Sequence, residues 1–210
     1  MGIETEIKFE VTPGDLRKLA ASRKLRPYSK ELSEHQNIVS TYFDTRDHVL
    51  RRNGVSLRIR QIGKKRTQII KTSSNDASID RGEWETRIRG DDLDLRAARS
   101  TPLQRLMSKR VRRDLSAAFS THVHRTLIPL RSGASRLELA LDEGHIRAGL
   151  HSSPLAEVEL ELKSGPVGHL FRTARTIAQL VPARLALKTK SRQGYDLVTG
   201  QPTASVPAAR

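Results

Sequence analysis

Alternation of apolar and polar residues with a period of two dominates the chain and predicts a protein built mainly from β-strands. In Glu4-Thr-Glu6-Ile-Lys8 and in Glu157-Val-Glu159-Leu-Glu161-Leu-Lys163, carboxylates occupy every second position. Alternate residues of a strand point to the same face, so each segment presents carboxylates on one side and apolar residues on the other. A row of like charges is destabilising unless positive charge lies among them. The two rows therefore indicate a site that holds metal ions.

The same patterns, interrupted by turn and helix signals, divide the chain into further elements. The predicted strands are 3–11, 37–44, 55–62, 67–72, 79–89, 119–130, 136–148, 155–163 and 185–190. Helices are predicted over 15–25, 93–115 and 168–180, with Pro102 opening a second helix inside the long span and a helical turn running through Tyr195. Asp142-Glu-Gly144 is expected to make a bend or turn.

The charged faces of these strands carry both signs, which sets the predicted architecture. The interior of an ordinary small barrel is apolar, but here the apolar faces would lie outside, where amphipathic helices can cover them. We therefore predict an α+β fold in which a closed antiparallel sheet surrounds a charged, water-filled bore. Such a bore suits a highly charged ligand.

Carboxylates from separated strands are the candidate metal ligands, because Mg²⁺ prefers hard oxygen donors. A single Glu-x-Glu is more simply explained as a solvated acidic face, but two such rows, each followed by a lysine, favour a metal site. The candidates are Glu4, Glu6, Asp142, Glu157, Glu159 and Glu161.

Arginines and lysines on the predicted strands are candidates for binding phosphate. Arg58 and Arg60 share one face, while Val55, Leu57 and Ile59 fill the other, which argues against a merely solvated edge. Guanidinium groups match phosphate oxygens bidentately, and lysine supplies a compact charge. The further candidates are Lys71, Arg81, Arg125, Lys188, Lys190 and Arg192.

Composition narrows the class of partner. The 210 residues carry a net charge of +15, which indicates a polyanion: nucleic acid, anionic lipid or a phosphate-rich small molecule. Aromatic residues make up only 4%, so base stacking has few candidates, and no apolar run reaches membrane-spanning length. The absence of cysteine excludes thiol catalysis and disulfides. We expect a cytoplasmic protein that binds a small polyanion, with neither nucleic acid nor membrane as partner.

Taken in order, the motifs resemble the CYTH family, also called triphosphate tunnel metalloenzymes, over about residues 3–197, and most closely its bacterial inorganic triphosphatases. The motifs are Glu4-x-Glu6-x-Lys8, Tyr42-Phe-Asp-Thr45, Leu57-Arg-Ile-Arg60, Lys71, Arg81-x-Glu83-x-Glu85, Leu141-Asp142-x-Gly144, Glu157-x-Glu159-x-Glu161 and Lys190 before Gly194-Tyr195. Each motif is weak alone, and their combination and order are specific.

The resemblance implies an eight-stranded antiparallel tunnel that hydrolyses inorganic triphosphate to diphosphate and phosphate with Mg²⁺ or Mn²⁺. Glu4, Glu6, Glu159 and Glu161 would hold metal with Asp142 assisting, and Glu157 is less securely placed. Lys8, Arg58, Arg60, Lys71, Arg125 and Lys190 would bind phosphates, with Lys188 and Arg192 as further candidates. Glu83 or Glu85 would position the attacking water beside Arg81, and Lys8 belongs with them in the catalytic set.

Residues 1–198 are expected to form this domain, and 199–210 a Pro/Ala-rich tail that is disordered or a linker. Bacterial triphosphatases of this kind often carry a helical CHAD domain after the tunnel, so a CHAD domain in a longer natural chain stays open. Three alternative functions also stay open: a class IV-type adenylyl cyclase, a thiamine triphosphatase and a non-catalytic polyphosphate-binding module.

Overall fold

The protein is described by a computed structural model that covers residues 5–25, 33–72 and 82–200. The strands are β1 (Thr5–Glu10), β2 (Glu34–Asp44), β3 (Val55–Ile62), β4 (Lys65–Thr72), β5 (Glu83–Ile88), β6 (Ser116–Ser132), β7 (Ser135–Ala148), β8 (His151–Ser164) and β9 (Arg184–Leu185). The α-helices are α1 (Pro13–Ala21), α2 (Val49–Arg52), α3 (Lys109–Asp114), α4 (Gly168–Leu180) and α5 (Lys190–Val198). Two short 3₁₀ helices cover Ala97–Ser100 and Pro102–Leu106. No described helix is both long and apolar enough to cross a bilayer.

All nine described strands belong to one antiparallel sheet in the order β5-β4-β3-β2-β6-β7-β8-β1-β9. The α+β class is confirmed, but the prediction of an eight-stranded closed barrel is wrong for the described residues, because the sheet is open and has one strand more. The ninth strand explains the difference. Phe9 and Glu10 of β1 pair with Leu185 and Arg184 of β9, so the edge of β1 is taken by β9 and does not pair with β5.

The strand predictions hold best where the alternation is strict, and the predicted strand at 55–62 has the same bounds as β3. The predicted strand at 185–190 is wrong beyond Leu185, since the Thr189 side chain accepts from the Arg192 backbone N–H and starts α5 at Lys190. The predicted turn at 142–144 is also wrong, because β7 runs straight through it. Gly144 instead allows close approach to the His122 carbonyl, where a Cβ would collide.

The predicted long helix over 93–115 is broken into three short pieces, and side-chain hydrogen bonds explain why. The buried Gln68 side chain accepts from the Asp94 N–H (2.8 Å) and donates to the Asp94 carbonyl (3.0 Å), which keeps both backbone groups of Asp94 out of helical hydrogen bonds. Asp94 Oδ1 then accepts from the backbone N–H groups of Arg96 and Ala97. Pro102 opens a helix as predicted, but one of the 3₁₀ type.

The chain divides into two compact units, each built from separated stretches. Unit 1 comprises Met1–Ile38, His122–Gly144 and Pro154–Leu187, and unit 2 comprises Val39–Thr121, His145–Ser153 and Lys188–Arg210. The core of unit 1 joins apolar residues of the β-sheet to α1 and α4. It contains Phe9, Leu16, Leu19, Leu139, Val158, Leu160, Leu170 and Ile177.

In unit 2, residues of β3 and β4 pack against the short helices. The core contains Leu50 of α2, Val55, Leu57, Ile70, Leu103, Met107 and Val111. In both units the apolar strand faces are covered by helices, as the alternation predicts, so the opposite faces carry the polar residues. The predicted boundary and tail at 199–210 lie mostly outside the described residues, which end at 200.

Candidate functional site

The two acidic rows face each other across the β1–β8 pair in unit 1. Glu6 lies opposite Glu161, Lys8 opposite Glu159, and Glu10 opposite Glu157. Residues directly opposite in an antiparallel pair share a face. Lys8 Nζ lies 3.1 Å from Glu6 Oε1 and 3.2 Å from Glu159 Oε1, so a cation does lie among the carboxylates. Glu4 lies outside the described residues.

Three of the predicted metal ligands form a compact cluster. One carboxylate oxygen from each of Asp142, Glu157 and Glu159 lies within 4.8 Å of the others. Asp142 is fully buried, Glu157 is 2% exposed, and the Glu159 side chain is 14% exposed. Burying several carboxylates together is costly unless cations compensate them. A set of hard oxygen donors at this spacing fits Mg²⁺ or Mn²⁺.

Arg125 is the main compensating cation of this cluster. Its Nε donates to Asp142 Oδ1 and its Nη2 to Asp142 Oδ2, both at 2.7 Å, and Nη2 also donates to Glu159 Oε2 at 2.6 Å. Burial alone would lower the pKa of Arg125, but hydrogen bonds and charge attraction from Asp142 and Glu159 outweigh it and raise that pKa. A permanently charged fork therefore holds two of the three candidate ligands.

Glu161 and Glu6, the remaining described candidates, are outside the three-carboxylate cluster. Lys163 Nζ donates to Glu161 Oε1 at 2.9 Å and lies 3.6 Å from Glu138 Oε1. Partial burial lowers the pKa of Lys163, but these two carboxylates raise it overall. The lysine at the end of the second row thus neutralises Glu161, while Lys8 contacts Glu6.

The β3–β4–β5 hairpins of unit 2 place predicted phosphate-binding cations beside the predicted water-positioning glutamates. Lys71 lies opposite Glu83, and Lys71 Nζ is 2.9 Å from Glu83 Oε2. Arg60 Nη1 lies 4.0 Å from Glu85 Oε1. Arg58 Nη1 donates to the Tyr42 hydroxyl at 2.9 Å. Arg81, predicted on the same face, lies outside the described residues.

Lys188 and Arg192 lie in unit 2 around Asp196, a residue for which no role was predicted. Asp196 is 2% exposed, and its Oδ2 accepts from Lys188 Nζ at 2.9 Å. Its Oδ1 lies 3.2 Å from Arg192 Nε and 3.6 Å from Arg51 Nη2. The spacing of four residues between Arg192 and Asp196 on a helix is a signal that the sequence offered. Lys190 begins the same helix.

Asp44 and Tyr195 form a second buried pair, and both belong to family motifs in which no role was predicted for them. The Tyr195 hydroxyl donates to Asp44 Oδ2 at 2.7 Å, and the backbone N–H groups of Leu50 and Arg51 donate to the same carboxylate at 2.9 and 3.0 Å. Burial, followed by the bond to Asp44, raises the pKa of Tyr195 above its usual value. Asp44 thereby fixes the start of α2 and anchors α5.

Aromatic packing completes the α5 attachment. The Phe119 ring stacks on Tyr42 at a centroid distance of 4.4 Å and meets Tyr195 edge-on at 5.1 Å. Gly194 lies directly against Phe119, where an added Cβ would overlap the ring. Gly194 does not adopt a positive φ, so its backbone conformation does not require glycine. The close contact with Phe119 is what requires a residue without a side chain here.

Comparison with known proteins identifies the family. The CYTH domain model matches residues 2–195, nearly the whole chain. An inorganic triphosphatase of Haemophilus influenzae is 32% identical over 174 residues, which is 80% of this chain and 48% of that protein. The chain belongs to the CYTH family, and it spans about half the length of this relative.

Solved structures with the same fold share far less sequence. One is HpAC1 from Hippeastrum, which is called an adenylyl cyclase and described as having a dominant triphosphatase activity. It superposes with a TM-score of 0.61 at 16% identity, covering 95% of this chain and 97% of that one. The PH1819 protein from Pyrococcus horikoshii gives 0.54 at 16% identity, covering 92% and 98%. At such identity these matches show the fold alone.

Proposed function

We propose that this chain hydrolyses inorganic triphosphate to diphosphate and phosphate in a reaction that requires Mg²⁺ or Mn²⁺. The observation that carries the proposal is the cluster of Asp142, Glu157 and Glu159, held by Arg125 and Lys8. Three clustered carboxylates repel an anion, and a module that only binds polyphosphate has no use for such an excess of negative charge, so the cluster argues against a non-catalytic polyphosphate-binding module. Membership of the CYTH family and a relative named inorganic triphosphatase support the same function.

The metal-holding role is proposed for the carboxylates of unit 1. Asp142, Glu157 and Glu159 would be the principal ligands, with Glu4, Glu6 and Glu161 contributing from the two acidic rows. When bound, such a cation neutralises phosphate charge and activates water for attack. Arg125 contacts Asp142 and Glu159, and Lys8 contacts Glu159, so both cations help to orient the proposed ligands.

The phosphate-binding role is proposed for cations of both units. Arg125 and Lys8 belong to unit 1, and the others to unit 2: Arg58, Arg60, Lys71, Arg81, Lys188, Lys190 and Arg192. Phosphoryl transfer demands little covalent work from a protein, so orientation and charge stabilisation of the phosphoryl group carry most of the catalysis. Lys8 would stabilise the charge that develops on the reacting phosphate, which places it with the catalytic residues.

Glu83 or Glu85 is proposed to orient the attacking water. The water oxygen forms a bond to the terminal phosphorus while the bridging P–O bond breaks and diphosphate leaves. Both glutamates are held by cations of the neighbouring strands, Glu83 by Lys71 and Glu85 by Arg60. These contacts orient each carboxylate beside a cation, where its oxygens can accept a hydrogen bond from water.

The test is phosphate release from tripolyphosphate, ATP and thiamine triphosphate, each with Mg²⁺, Mn²⁺ or EDTA. We expect fast release from tripolyphosphate that EDTA abolishes, and much slower release from the other two. Glu159→Gln should lower turnover by roughly a hundred-fold or more, since a metal ligand is lost. Glu143→Gln is the matched control, because Glu143 is half exposed and pairs with Arg17 on the surface at 3.5 Å.

Other outcomes redirect the function. Preferential release from thiamine triphosphate would make the protein a thiamine triphosphatase, and formation of cyclic AMP from ATP would make it an adenylyl cyclase. Tight tripolyphosphate binding without release from any substrate would refute hydrolysis.

We propose that the catalytic domain extends to residue 198, because the family match ends at 195 and α5 at Val198.

A further inference from the structure

Three cations of unit 2 surround one buried carboxylate, and this excess of positive charge calls for an explanation. Asp196 is 2% exposed, while Arg51, Lys188 and Arg192 approach its two oxygens at 3.6, 2.9 and 3.2 Å. One carboxylate cannot neutralise three cations. Asp44, the neighbouring carboxylate of the same unit, is already saturated by three backbone N–H groups and the Tyr195 hydroxyl.

The guanidinium groups of Arg51 and Arg192 donate no hydrogen bond to any acceptor in the described part of the chain. Among the residues that the structure describes, only Lys188 donates a hydrogen bond to the carboxylate of Asp196. Asp196 Oδ1 accepts no hydrogen bond from any described residue, although Arg51 and Arg192 lie beside it. Among the described residues, no acceptor receives a side-chain hydrogen bond from Arg51 or Arg192. Both groups are therefore held by charge while their forks stay available to another acceptor.

Arg51 is also held in place from two further directions, although no strand pattern marked it in the sequence. Its backbone N–H donates to Asp44 at 3.0 Å, and its guanidinium lies over the Tyr195 ring at 4.7 Å from the centroid. Its side chain is only 22% exposed. A partly buried, ordered guanidinium with unused donors is suited to a multivalent oxyanion, above all phosphate, which takes paired N–H donors.

We propose that Arg51 is a further phosphate-binding residue and that Asp196 is a positioning residue that arranges Arg51, Lys188 and Arg192 around one phosphate group of the substrate. This inference rests on the proposed function for its ligand, a linear triphosphate. Asp196 spaces the three cations and offsets part of their mutual repulsion in the absence of substrate. A bound phosphate group would then supply the remaining negative charge and accept hydrogen bonds from Arg51 and Arg192.

Binding of tripolyphosphate, measured by calorimetry in EDTA, tests the inference without turnover. Arg51→Gln should raise the Kd by about ten-fold, because a charge-assisted hydrogen bond is lost. Arg52→Gln is the matched control: it removes the same charge from the next residue, which is exposed, and should change the Kd by less than about two-fold. An Arg51→Gln variant that binds as tightly as the wild type overturns the role of Arg51.

Asp196→Asn gives the sharper test because two explanations predict opposite signs. If Asp196 merely adds a negative charge near an anion, its removal should tighten binding. If Asp196 positions the cations, the Kd should rise several-fold despite the gain of positive charge, because the carboxylate that orients Lys188 and Arg192 is lost. Tighter binding, or an unchanged Kd with a lowered Tm, overturns the positioning role. If this variant does not fold, Arg51→Gln decides the inference.

The same experiment separates this inference from the proposed function. Wild-type protein that binds tripolyphosphate but releases no phosphate with Mg²⁺ or Mn²⁺ refutes the hydrolase, and the variants then still decide the roles of Arg51 and Asp196. Wild-type protein that does not bind tripolyphosphate in EDTA overturns the phosphate group as the ligand of these cations.

Discussion

The two units build polar clusters of opposite sign, the first on strand faces and the second on α2, α5 and the segment just before α5. In unit 1, Asp142, Glu157, Glu159 and Glu6 outnumber Arg125 and Lys8, and the cations make close contacts with the carboxylates. In unit 2, Arg51, Lys188 and Arg192 outnumber Asp196. The N–H donors of the two guanidinium groups make no hydrogen bond to a described residue. Under the proposed function, this difference in the balance of charge matches a cation as the ligand of the unit 1 cluster and an anion as the ligand of the unit 2 cluster.

Removing the cation of unit 1 should have the largest effect. Arg125→Gln leaves fully buried Asp142 without its charge partner, so the free energy of unfolding should fall by about 3–5 kcal/mol. Mn²⁺ should then raise the Tm of the variant more than that of the wild type, because a bound metal replaces the missing charge. Arg136→Gln, an exposed change on β7, is the control for thermal unfolding. Equal Tm values with and without Mn²⁺ would contradict the charge balance assigned to unit 1.

The next largest effect is a loss of stability in unit 2 that arises from packing and not from charge. Gly194→Ala places a methyl group inside the Phe119 ring, which is fixed between Tyr42 and Tyr195, and should lower the free energy of unfolding by about 3 kcal/mol. Gly168→Ala has open space around the added group and should change stability by less than about 0.5 kcal/mol. Denaturant unfolding of both variants measures the difference. Similar values for the two would show that α5 can shift freely.

Tyr195→Phe probes the anchor of α5 with a smaller change. Loss of the hydrogen bond to Asp44 should cost about 2 kcal/mol at neutral pH. The pKa of Tyr195 is raised above its usual 10.0, so the folded state keeps the proton longer than the unfolded chain does. The contribution is therefore complete below pH 10.0 and declines as the pH rises above it. A wild-type advantage that stays constant into strongly alkaline solution would argue against this anchor.

The smallest expected effect concerns metal affinity. Glu157→Gln removes one of three clustered carboxylates and should weaken Mn²⁺ binding by roughly ten-fold, or about 1.4 kcal/mol. Calorimetry with Mn²⁺ gives the affinity, and Glu143→Gln on the surface is the control. An unchanged affinity in Glu157→Gln would remove this residue from the proposed ligand set and leave the two acidic rows to supply the third carboxylate.

Much of the candidate site was predictable because alternation is a local property of a strand. Alternation places Glu6 and Lys8 on one face of their segment, and Glu159 and Glu161 on one face of theirs. The pairing of β1 with β8, which brings the two rows together, is a finding of the structure. The hairpin of β3 and β4 follows from Gly63 between two alternating runs. The assignment of metal and phosphate roles to these residues stays a prediction, because it rests on the family resemblance.

Alternation along the chain is enough to specify which residues share a strand face, which faces are apolar, and that acidic and basic rows coexist. Closure of the sheet and contacts between distant side chains depend on how the folded elements pack. Whether a sheet closes depends on the pairing of edges far apart in the chain, and two residues of β9 decide it here. The grouping of Arg51 with Asp196 likewise joins residues 145 positions apart, as the Asp44–Tyr195 bond joins residues 151 apart. Periodicity carries no information on such contacts, because they form only when separate elements pack together.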